Sequence, residues 1–190
     1  MRALVVHCHP DPASFTAAVR DVVLARLYAE GFQPALAFPE WRGYLDGPAN
    51  SADVAGHCAD LAWCDTLVFT YPTWWHGPPA MLKGWLDRVL LPGVAFHMPR
   101  EAGGAIRPGL RHIGRLGAFT TCGASRWLTL YMGAPGKRQI MSGVGLMCHP
   151  RRRAAFAAHY LMDRSTPQSR ERHLALVATR MDRLIGRPAP

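Results

Sequence analysis

The sequence predicts a doubly wound α/β fold, with one parallel sheet of five strands and helices on both of its faces. Short apolar runs rich in Val, Leu and Phe alternate along the chain with segments of helical periodicity. Such alternation favours βαβ units, whose strands are buried on both sides. The chain has 190 residues, of which 49% are apolar. That length and composition suit a single domain, residues 1–190, with a core of its own.

The first βα unit is predicted from the N-terminus onward. Residues 2–7 form an apolar run that ends at His-Pro and Asp-Pro dipeptides, as expected for a buried parallel strand followed by a loop. From Ser14 the apolar side chains recur at helical spacing, with Ser14 as the N-cap and Gly31 as the terminator. Residues 32–38 predict a second strand, near a sheet edge because Pro34 has no N–H to donate.

The next unit begins after a loop. Residues 39–51 are rich in Pro, Gly and Asn, which indicates a loop, and residues 52–63 predict a short helix. Residues 65–71 are the third strand, which Pro72 ends.

A helix is expected to begin near Pro78 or Pro79, because proline is tolerated in the first turn of a helix. Residues 92–112 contain several Gly, Pro and charged residues and predict a long loop or crossover. Residues 113–121 are the fourth strand.

The last third of the chain completes the predicted sheet. Residues 124–142 indicate a loop with a short helix, residues 143–148 the fifth strand, and residues 168–185 the final amphipathic helix. Five βα units joined by right-handed crossovers favour the flavodoxin-like strand order 2-1-3-4-5.

Composition narrows the possible partners. The formal net charge is +9, which favours anionic partners such as nucleotides. Two interpretations of the basic residues stay open: a solvated surface, or a role in ligand binding. Those in and just after the middle third of the chain are Arg107, Arg111, Arg115, Arg126, Lys137, Arg138, Arg151, Arg152 and Arg153.

Cysteine usage and hydropathy predict a cytoplasmic protein. The five cysteines include no CxxC pair, so neither a disulfide framework nor a structural zinc site is expected. No apolar run approaches the roughly 18 residues of a membrane span, and the N-terminus does not resemble a signal peptide. We therefore expect no stable membrane insertion.

Three loops follow strands one, three and four at the carboxyl edge of the predicted sheet, where ligands bind in folds of this class. They are His7–Thr16, Tyr71–Gly77 and Thr120–Arg126. The edge of the sheet that carries these loops is the expected ligand site.

The first loop leads into a helix N-terminus, whose free N–H groups favour a phosphate. Ser14 and Thr16 add hydroxyl donors, although Ser14 could equally serve only as a helix cap. Neither a GxGxxG fingerprint nor a Walker loop is present. His7 and His9 flank Cys8, but no third ligand has a recognisable spacing, so no metal site is expected.

The second loop contains two adjacent tryptophans, Trp74 and Trp75, between prolines. Exposed aromatic rings at a strand end favour a flat apolar ligand such as an isoalloxazine, which also has a hydrogen-bonding edge. The alternative is that one of the two rings belongs to the core. In the third loop, residues 120–123 (Thr-Thr-Cys-Gly) offer small side chains and hydroxyls where a ligand could approach closely.

Residues 71–90 (YPTWWHGPPAMLKGWLDRVL) resemble the signature segment of the NAD(P)H:quinone oxidoreductases, a flavodoxin-like family that includes the ancillary reductases of bacterial potassium efflux systems. The resemblance implies a homodimer with bound FMN or FAD, which takes a hydride from NAD(P)H and passes electrons to a quinone or similar acceptor. The residues that it implies for cofactor binding are His9, Ser14, Phe15 and Thr16 at the phosphate, and Pro72, Thr73, Trp74, Trp75, Thr121, Cys122 and Gly123 at the ring.

The chain departs from that family at two places. Cys122 stands where the family usually has Gly, and the Tyr and His that follow this loop in animal quinone reductases fall on Leu128 and Ala134. Tyr131 is close but out of register, and it is the one candidate for a catalytic residue. An alternative function is a flavin-binding regulatory subunit of a membrane transporter. A nucleic-acid-binding domain is suggested by charge alone, and no motif supports it.

Overall fold

A computed structural model describes residues 1–11, 25–46, 51–101 and 103–186. Its main feature is a parallel sheet of five strands in the order β2-β1-β3-β6-β7, which confirms the predicted 2-1-3-4-5 order. A separate antiparallel pair, β4 and β5, lies within the predicted loop of residues 92–112. The strands are β1 Ala3–His7, β2 Ala25–Arg26, β3 Thr66–Pro72, β4 Phe96–His97, β5 Arg107–Pro108, β6 Arg115–Thr121 and β7 Arg153–His159.

Helices connect the strands within the described residues. Three of them begin after proline or at a hydroxyl cap: α3 follows Pro79, α4 is capped by the Ser125 hydroxyl, and α7 by that of Thr166. A π-helical segment, Gln139–Val144, precedes α6, and short 3₁₀ turns span Ala52–Val54 and Met162–Arg164. The α-helices are α1 Phe38–Arg42, α2 Ala55–Trp63, α3 Ala80–Val89, α4 Arg126–Tyr131, α5 Pro135–Arg138, α6 Gly145–Met147 and α7 Pro167–Ile185.

The sheet separates two apolar cores. On one face, the central strands pack against α3 through Trp85, whose ring lies edge-on to Phe69 at 5.8 Å. On the other face, Val177 and Leu184 of α7 cover Phe119 and its neighbours. Both faces of the central strands are therefore buried, which leaves the ends of the strands as the part of the sheet open to a ligand.

The prediction of a second strand at residues 32–38 is wrong. The edge strand is β2, which pairs in parallel with β1 through Ala25 and Arg26. The backbone of Pro34 instead packs so closely on Gly84 of α3 that no Cβ could stand there, and the Arg88 guanidinium donates to the Gln33 carbonyl. These contacts hold the segment on α3 and away from the sheet.

The prediction of a fifth strand at residues 143–148 is also wrong. Those residues belong to the π-helical segment and α6, and the edge strand is β7, Arg153–His159. The Arg152 guanidinium packs against Gly145 and donates to the Met141 carbonyl, which fixes this helical turn. The real strand is rich in alanine, a residue with weak β propensity, so its sequence gave little sign of it.

The remaining elements lie close to their predicted positions, with two exceptions. The loop predicted at residues 39–51 begins as helix α1. The helix predicted from Ser14 to its terminator Gly31 is wrong from residue 25 onward, where the chain forms β2 and then a turn, and its earlier part lies outside the described residues. Within the described part of the chain, no helix has the length and hydropathy needed to cross a bilayer.

Two histidines pack together between the end of β7 and α7, and we expect them to make the stability of the fold sensitive to acid. The rings of His159 and His173 meet edge to face at 5.2 Å, and both are buried. Burial, together with the charge of His159, lowers the pKa of His173 from 6.5 to about 4. Between those values the unfolded chain binds a proton that the folded protein does not, so stability falls as the pH falls.

We expect wild type to lose roughly 2 kcal/mol of unfolding free energy through this group between about pH 7 and about pH 5. Urea unfolding of wild type and of His173→Leu at both pH values shows how much less the unfolding free energy of the variant depends on pH. His97→Leu, which removes an exposed histidine on β4, is the control. Equal pH dependence in wild type and His173→Leu would contradict the prediction.

Candidate functional site

The three predicted loops leave the sheet from adjacent strands at one edge. His7 pairs with Thr70, and Pro72 with Thr121, so β1, β3 and β6 end side by side. The Cys8 N–H donates to the Thr70 carbonyl at 2.9 Å. The pairing thus brings together the segments that sequence analysis singled out.

The loop after β3 is a tight turn that presents two tryptophans to solvent. Trp74 and Gly77 exchange two backbone hydrogen bonds, at 3.0 and 2.9 Å. The central residues Trp75 and His76 have positive φ angles of 46° and 65°, a conformation that suits Gly or Asn and is strained for other residues. The side chains of Trp74 and Trp75 are 66% and 98% exposed. Neither ring is core, so the alternative that one of them is buried is wrong.

The loop after β6 is tied to the loop after β3. The Thr73 N–H donates to the Thr121 carbonyl at 2.7 Å, and the hydroxyls of Thr73 and Thr120 are 2.9 Å apart. The Cys122 N–H donates to the His159 carbonyl at 2.8 Å, while its thiol lies 3.8 Å from the Thr129 hydroxyl. These bonds make the floor of the site rigid.

A cavity of about 490 Å³ opens beside these two loops, a volume within the usual range for small-molecule sites. Its walls come from β3, β6, β7, α4, α5 and α7. The lining residues are Tyr71, Thr73, His76, Thr120, Cys122, Arg126, Thr129, Leu130, Ala134, Gly136, Lys137, Phe156, Ala157, Ala158, Tyr160, Leu176 and Arg180.

Two buried polar atoms at this cavity have no hydrogen-bond partner among the described residues: Tyr71 Oη and His76 Nδ1. Burial raises the pKa of Tyr71, so its hydroxyl stays protonated and able to donate. A methyl group placed on Gly136 would lie 3.5 Å from Tyr71 Oη. A buried polar atom without a partner costs free energy, and a ligand that accepts from Tyr71 would remove that cost.

The loop after β1 is described only as far as residue 11. His9 is half-buried, and its Nδ1 lies 3.0 Å from both the N–H and the carbonyl oxygen of Asp11, so it can accept from the first or donate to the second. A neutral ring that accepts at Nδ1 carries its proton on Nε2, which is then a donor for an anion. Ser14, Phe15 and Thr16 lie outside the described residues, so their predicted role at a phosphate stays a prediction.

The basic residues divide between the two interpretations that the sequence left open. Arg126 and Lys137 line the cavity. Arg111 donates to the Cys148 carbonyl, Arg115 pairs with Asp65 at 3.5 Å, and Arg152 is held by Met141, so these three have structural partners.

Sequence reasoning missed several residues of the cavity. Arg180 and Leu176 come from α7, whose periodicity indicated only a packing face. Phe156 and Tyr160 belong to β7 and its end, which the sequence placed elsewhere. The sequence places Tyr71 in the third strand, but a strand position alone does not show that its hydroxyl reaches the cavity.

Tyr131, the candidate catalytic residue, lies on α4 outside the cavity lining. Its ring is exposed and stacks on Trp127 with centroids 5.5 Å apart. Pro72 is the last residue of β3, and Gly123 lies two residues beyond the end of β6; both are next to residues that line the cavity.

The arrangement suits a flat ring with hydrogen-bonding edges. Trp75 offers an exposed aromatic face, and Tyr71 and the threonines offer polar atoms. The ring of a flavin fits these residues. Among the described residues no group of His, Cys, Asp and Glu could hold a metal ion.

Comparison with known proteins identifies similar molecules. Residues 1–175 match a family model described as "Flavodoxin-like fold". The ribosyldihydronicotinamide dehydrogenase (quinone) of Pongo abelii is 27% identical over 126 residues, which are 52% of this chain and 54% of that protein. The chain thus spans about half the length of this curated relative.

Two solved structures share the fold. An NAD(P)H:quinone oxidoreductase from Methanothermobacter marburgensis superposes with a TM-score of 0.76 at 24% identity, covering 96% of each chain. An FMN-dependent NADH-azoreductase from Bacillus anthracis, in complex with FMN, has a TM-score of 0.63 at 12% identity, covering 93% of this chain and 97% of that one. The matches confirm the resemblance predicted from residues 71–90 and the flavodoxin-like fold.

Proposed function

We propose, from the premise that this chain belongs to the family with the flavodoxin-like fold, that it is a flavin-dependent NAD(P)H oxidoreductase with a quinone or similar acceptor. The observation that carries the proposal is the exposed Trp75 turn beside a cavity lined by Tyr71, whose hydroxyl has no hydrogen-bond partner in the described part of the chain. The quinone in the name of the Pongo abelii relative supports this class of acceptor.

FMN is the cofactor that we propose. Its ring would lie at the loops after β3 and β6, near Trp75 and Cys122, and its phosphate at the loop after β1. The azoreductase of the same fold, with bound FMN, supports this choice. In the tautomer whose Nδ1 accepts from the Asp11 N–H, His9 would have Nε2–H free to donate to a phosphate oxygen.

The chain's own residues would bind the flavin, orient its ring and shield it from solvent. When bound, the flavin supplies a ring that takes up a hydride and releases two electrons. The Tyr71 hydroxyl and the hydroxyl pair of Thr73 and Thr120 offer polar groups at the ring's edge. NAD(P)H gives two electrons and one proton as a hydride, and solvent gives the second proton, so a quinone leaves as its hydroquinone.

The test is spectroscopic and needs no assumption about the physiological acceptor. The purified protein should show the absorption bands of an oxidised flavin, and the mass of the released cofactor should be that of FMN. Anaerobic NADH or NADPH should bleach those bands, and menadione should restore them. A protein that is reconstituted with FMN and is bleached by neither nucleotide would overturn the proposal.

The alternative of a regulatory subunit of a membrane transporter gains no support. The relatives reported above carry the names of a dehydrogenase, an oxidoreductase and a reductase. Bound flavin without nucleotide turnover is the result that would favour it.

We also propose that the protein is a homodimer. Helix α4 exposes Trp127, Leu130 and Tyr131 near the site, and Trp74 and Trp75 are exposed beside it. A second copy that covered these apolar side chains would bury them at an interface. Light scattering at micromolar concentration should give twice the mass of one chain, and a monomer would contradict the dimer.

Cys122 is expected to pack against the flavin without taking part in redox chemistry. Its thiol touches Thr129, and no cysteine is at CxxC spacing to form a disulfide with it. Cys122→Gly should keep steady-state turnover within roughly tenfold of wild type, or about 1.4 kcal/mol on the barrier. Cys122→Ser is the conservative comparison. Complete loss of turnover with flavin still bound would contradict this expectation.

A further inference from the structure

The cavity beside the Trp75 turn is strongly cationic. Arg126, Lys137 and Arg180 reach it from three different helices, and none of the described residues that line it is Asp or Glu. Within the described ranges, no carboxylate lies at ion-pair distance from any of the three. Three unpaired cations that converge on one cavity create a local positive potential.

The same cavity has an apolar wall. Lys137 Nζ lies 5.2 Å from the centroid of the Phe156 ring, and Leu130 and Leu176 continue the apolar surface. The apolar wall and the cations together match an aromatic ring that carries a negative group.

We propose that this cavity selects acceptors that are aromatic anions, which bind with their carboxylate or sulfonate toward Arg126, Lys137 and Arg180. This inference rests on the proposed function, because only an oxidoreductase would use the bound anion as an electron acceptor. It deepens that function, because a neutral quinone would use the apolar wall and leave the three cations unmatched.

The cations could instead serve the phosphates of NAD(P)H, which have the same charge. If the cations serve the acceptor, the affinity for the acceptor depends on Lys137 and Arg180. If they serve the phosphates, the affinity for the nucleotide does. The oxidised nucleotides NAD⁺ and NADP⁺ bind without turnover, so they report on the second source.

The experiment measures binding to the flavin-loaded protein by titration calorimetry, with naphthoquinone sulfonate and menadione. These probes share one ring system and differ in a sulfonate or a methyl group. Lys137→Gln and Arg180→Gln each remove one cation of the cavity. Arg138→Gln and Arg183→Gln are matched controls, since each removes an exposed cation from the same helix, α5 or α7, outside the cavity.

We expect the sulfonate to bind at least tenfold more tightly than menadione at low ionic strength, and the difference to shrink with added salt. Lys137→Gln and Arg180→Gln should each weaken sulfonate binding roughly fivefold and leave menadione unchanged. The controls should stay within about twofold of wild type. Thermal unfolding of each variant verifies that its fold is retained.

Three results would overturn the proposal: no preference for the sulfonate, equal losses in the control variants, or losses for NAD⁺ and NADP⁺ in place of the sulfonate. None of these results concerns hydride transfer. Failure of the proposed function is recognised separately, by nucleotides that do not bleach the bound flavin.

Discussion

Replacing Arg88 by Met is expected to lower the free energy of unfolding by about 3–5 kcal/mol. Arg88 is only 6% exposed, and its guanidinium donates twice to Glu40 Oε1, at 2.8 and 2.6 Å. It also donates to the Gln33 carbonyl and lies 5.4 Å from the centroid of the Phe32 ring. The variant removes the guanidinium from the largely buried Glu40 carboxylate, and removing one member of a buried ion pair is costly.

A second ion pair on the same helix supplies the control. Lys83 pairs with Asp87 one turn apart on α3, and both side chains are largely exposed. Lys83→Met should cost no more than about 1 kcal/mol. Urea unfolding of wild type and the two variants gives the comparison, and similar losses would mean that burial of the Arg88 pair contributes nothing.

Adding Glu40→Gln to the Arg88→Met variant tests the cause of the loss. Glu40 Oε2 also accepts from the Ala37 N–H at 2.8 Å, and a glutamine can keep that bond through its carbonyl oxygen. Removing the carboxylate charge should therefore recover part of the stability. If the double variant is less stable than Arg88→Met alone, the charge of Glu40 is not the main cause of the loss.

The same residue explains why part of the fold was hidden in the sequence. Residues 32–38 have apolar side chains that suit a strand, but Arg88 and Gly84 hold this segment on α3. Both contacts cross about 50 residues of chain, so no local pattern could reveal them. The central strands β3 and β6, by contrast, are continuous apolar runs because both of their faces are buried, and the sequence identified them to within two residues.

The candidate site also has a part that the sequence predicts and a part that it does not. Its loops could be predicted, because ligands bind at the carboxyl ends of parallel strands and the motif around Trp74 and Trp75 is distinctive. The cavity could not, because Phe156 and Arg180 come from β7 and α7, which the topology alone brings to Thr73. The sequence shows that basic residues are in excess. Only the structure shows which of these side chains have structural partners and which line the cavity.

Replacing Trp75 by Gly is expected to weaken flavin binding by about tenfold to a hundredfold while leaving the fold intact. The Trp75 side chain is 98% exposed, so it contributes almost no packing to the flavin-free protein. Stacking of a planar ring on an aromatic side chain contributes about 1–3 kcal/mol. The loss should therefore appear in the flavin dissociation constant, measured by the quenching of flavin fluorescence on titration with apoprotein.

The backbone conformation at Trp75 allows the effect of the substitution on flavin affinity to be separated from its effect on stability. Its φ of 46° is unfavourable for a residue with a Cβ, and glycine adopts it freely. Relief of this strain offsets the greater freedom of glycine in the unfolded chain, so the unfolding free energy of apoprotein should change by less than about 1 kcal/mol, or rise. A strained residue with an exposed ring is expected where function, not stability, determines the side chain.

An exposed tryptophan elsewhere supplies the control for this variant. Trp41 lies on α1, is largely exposed and does not line the cavity, so Trp41→Ala should leave flavin affinity within about twofold of wild type. If Trp75→Gly binds flavin as tightly as wild type, the ring does not stack on Trp75, and the strain in this turn has another cause. If Trp75→Gly unfolds at much lower urea than wild type, the turn supports the fold, and its strain does not mark a binding role.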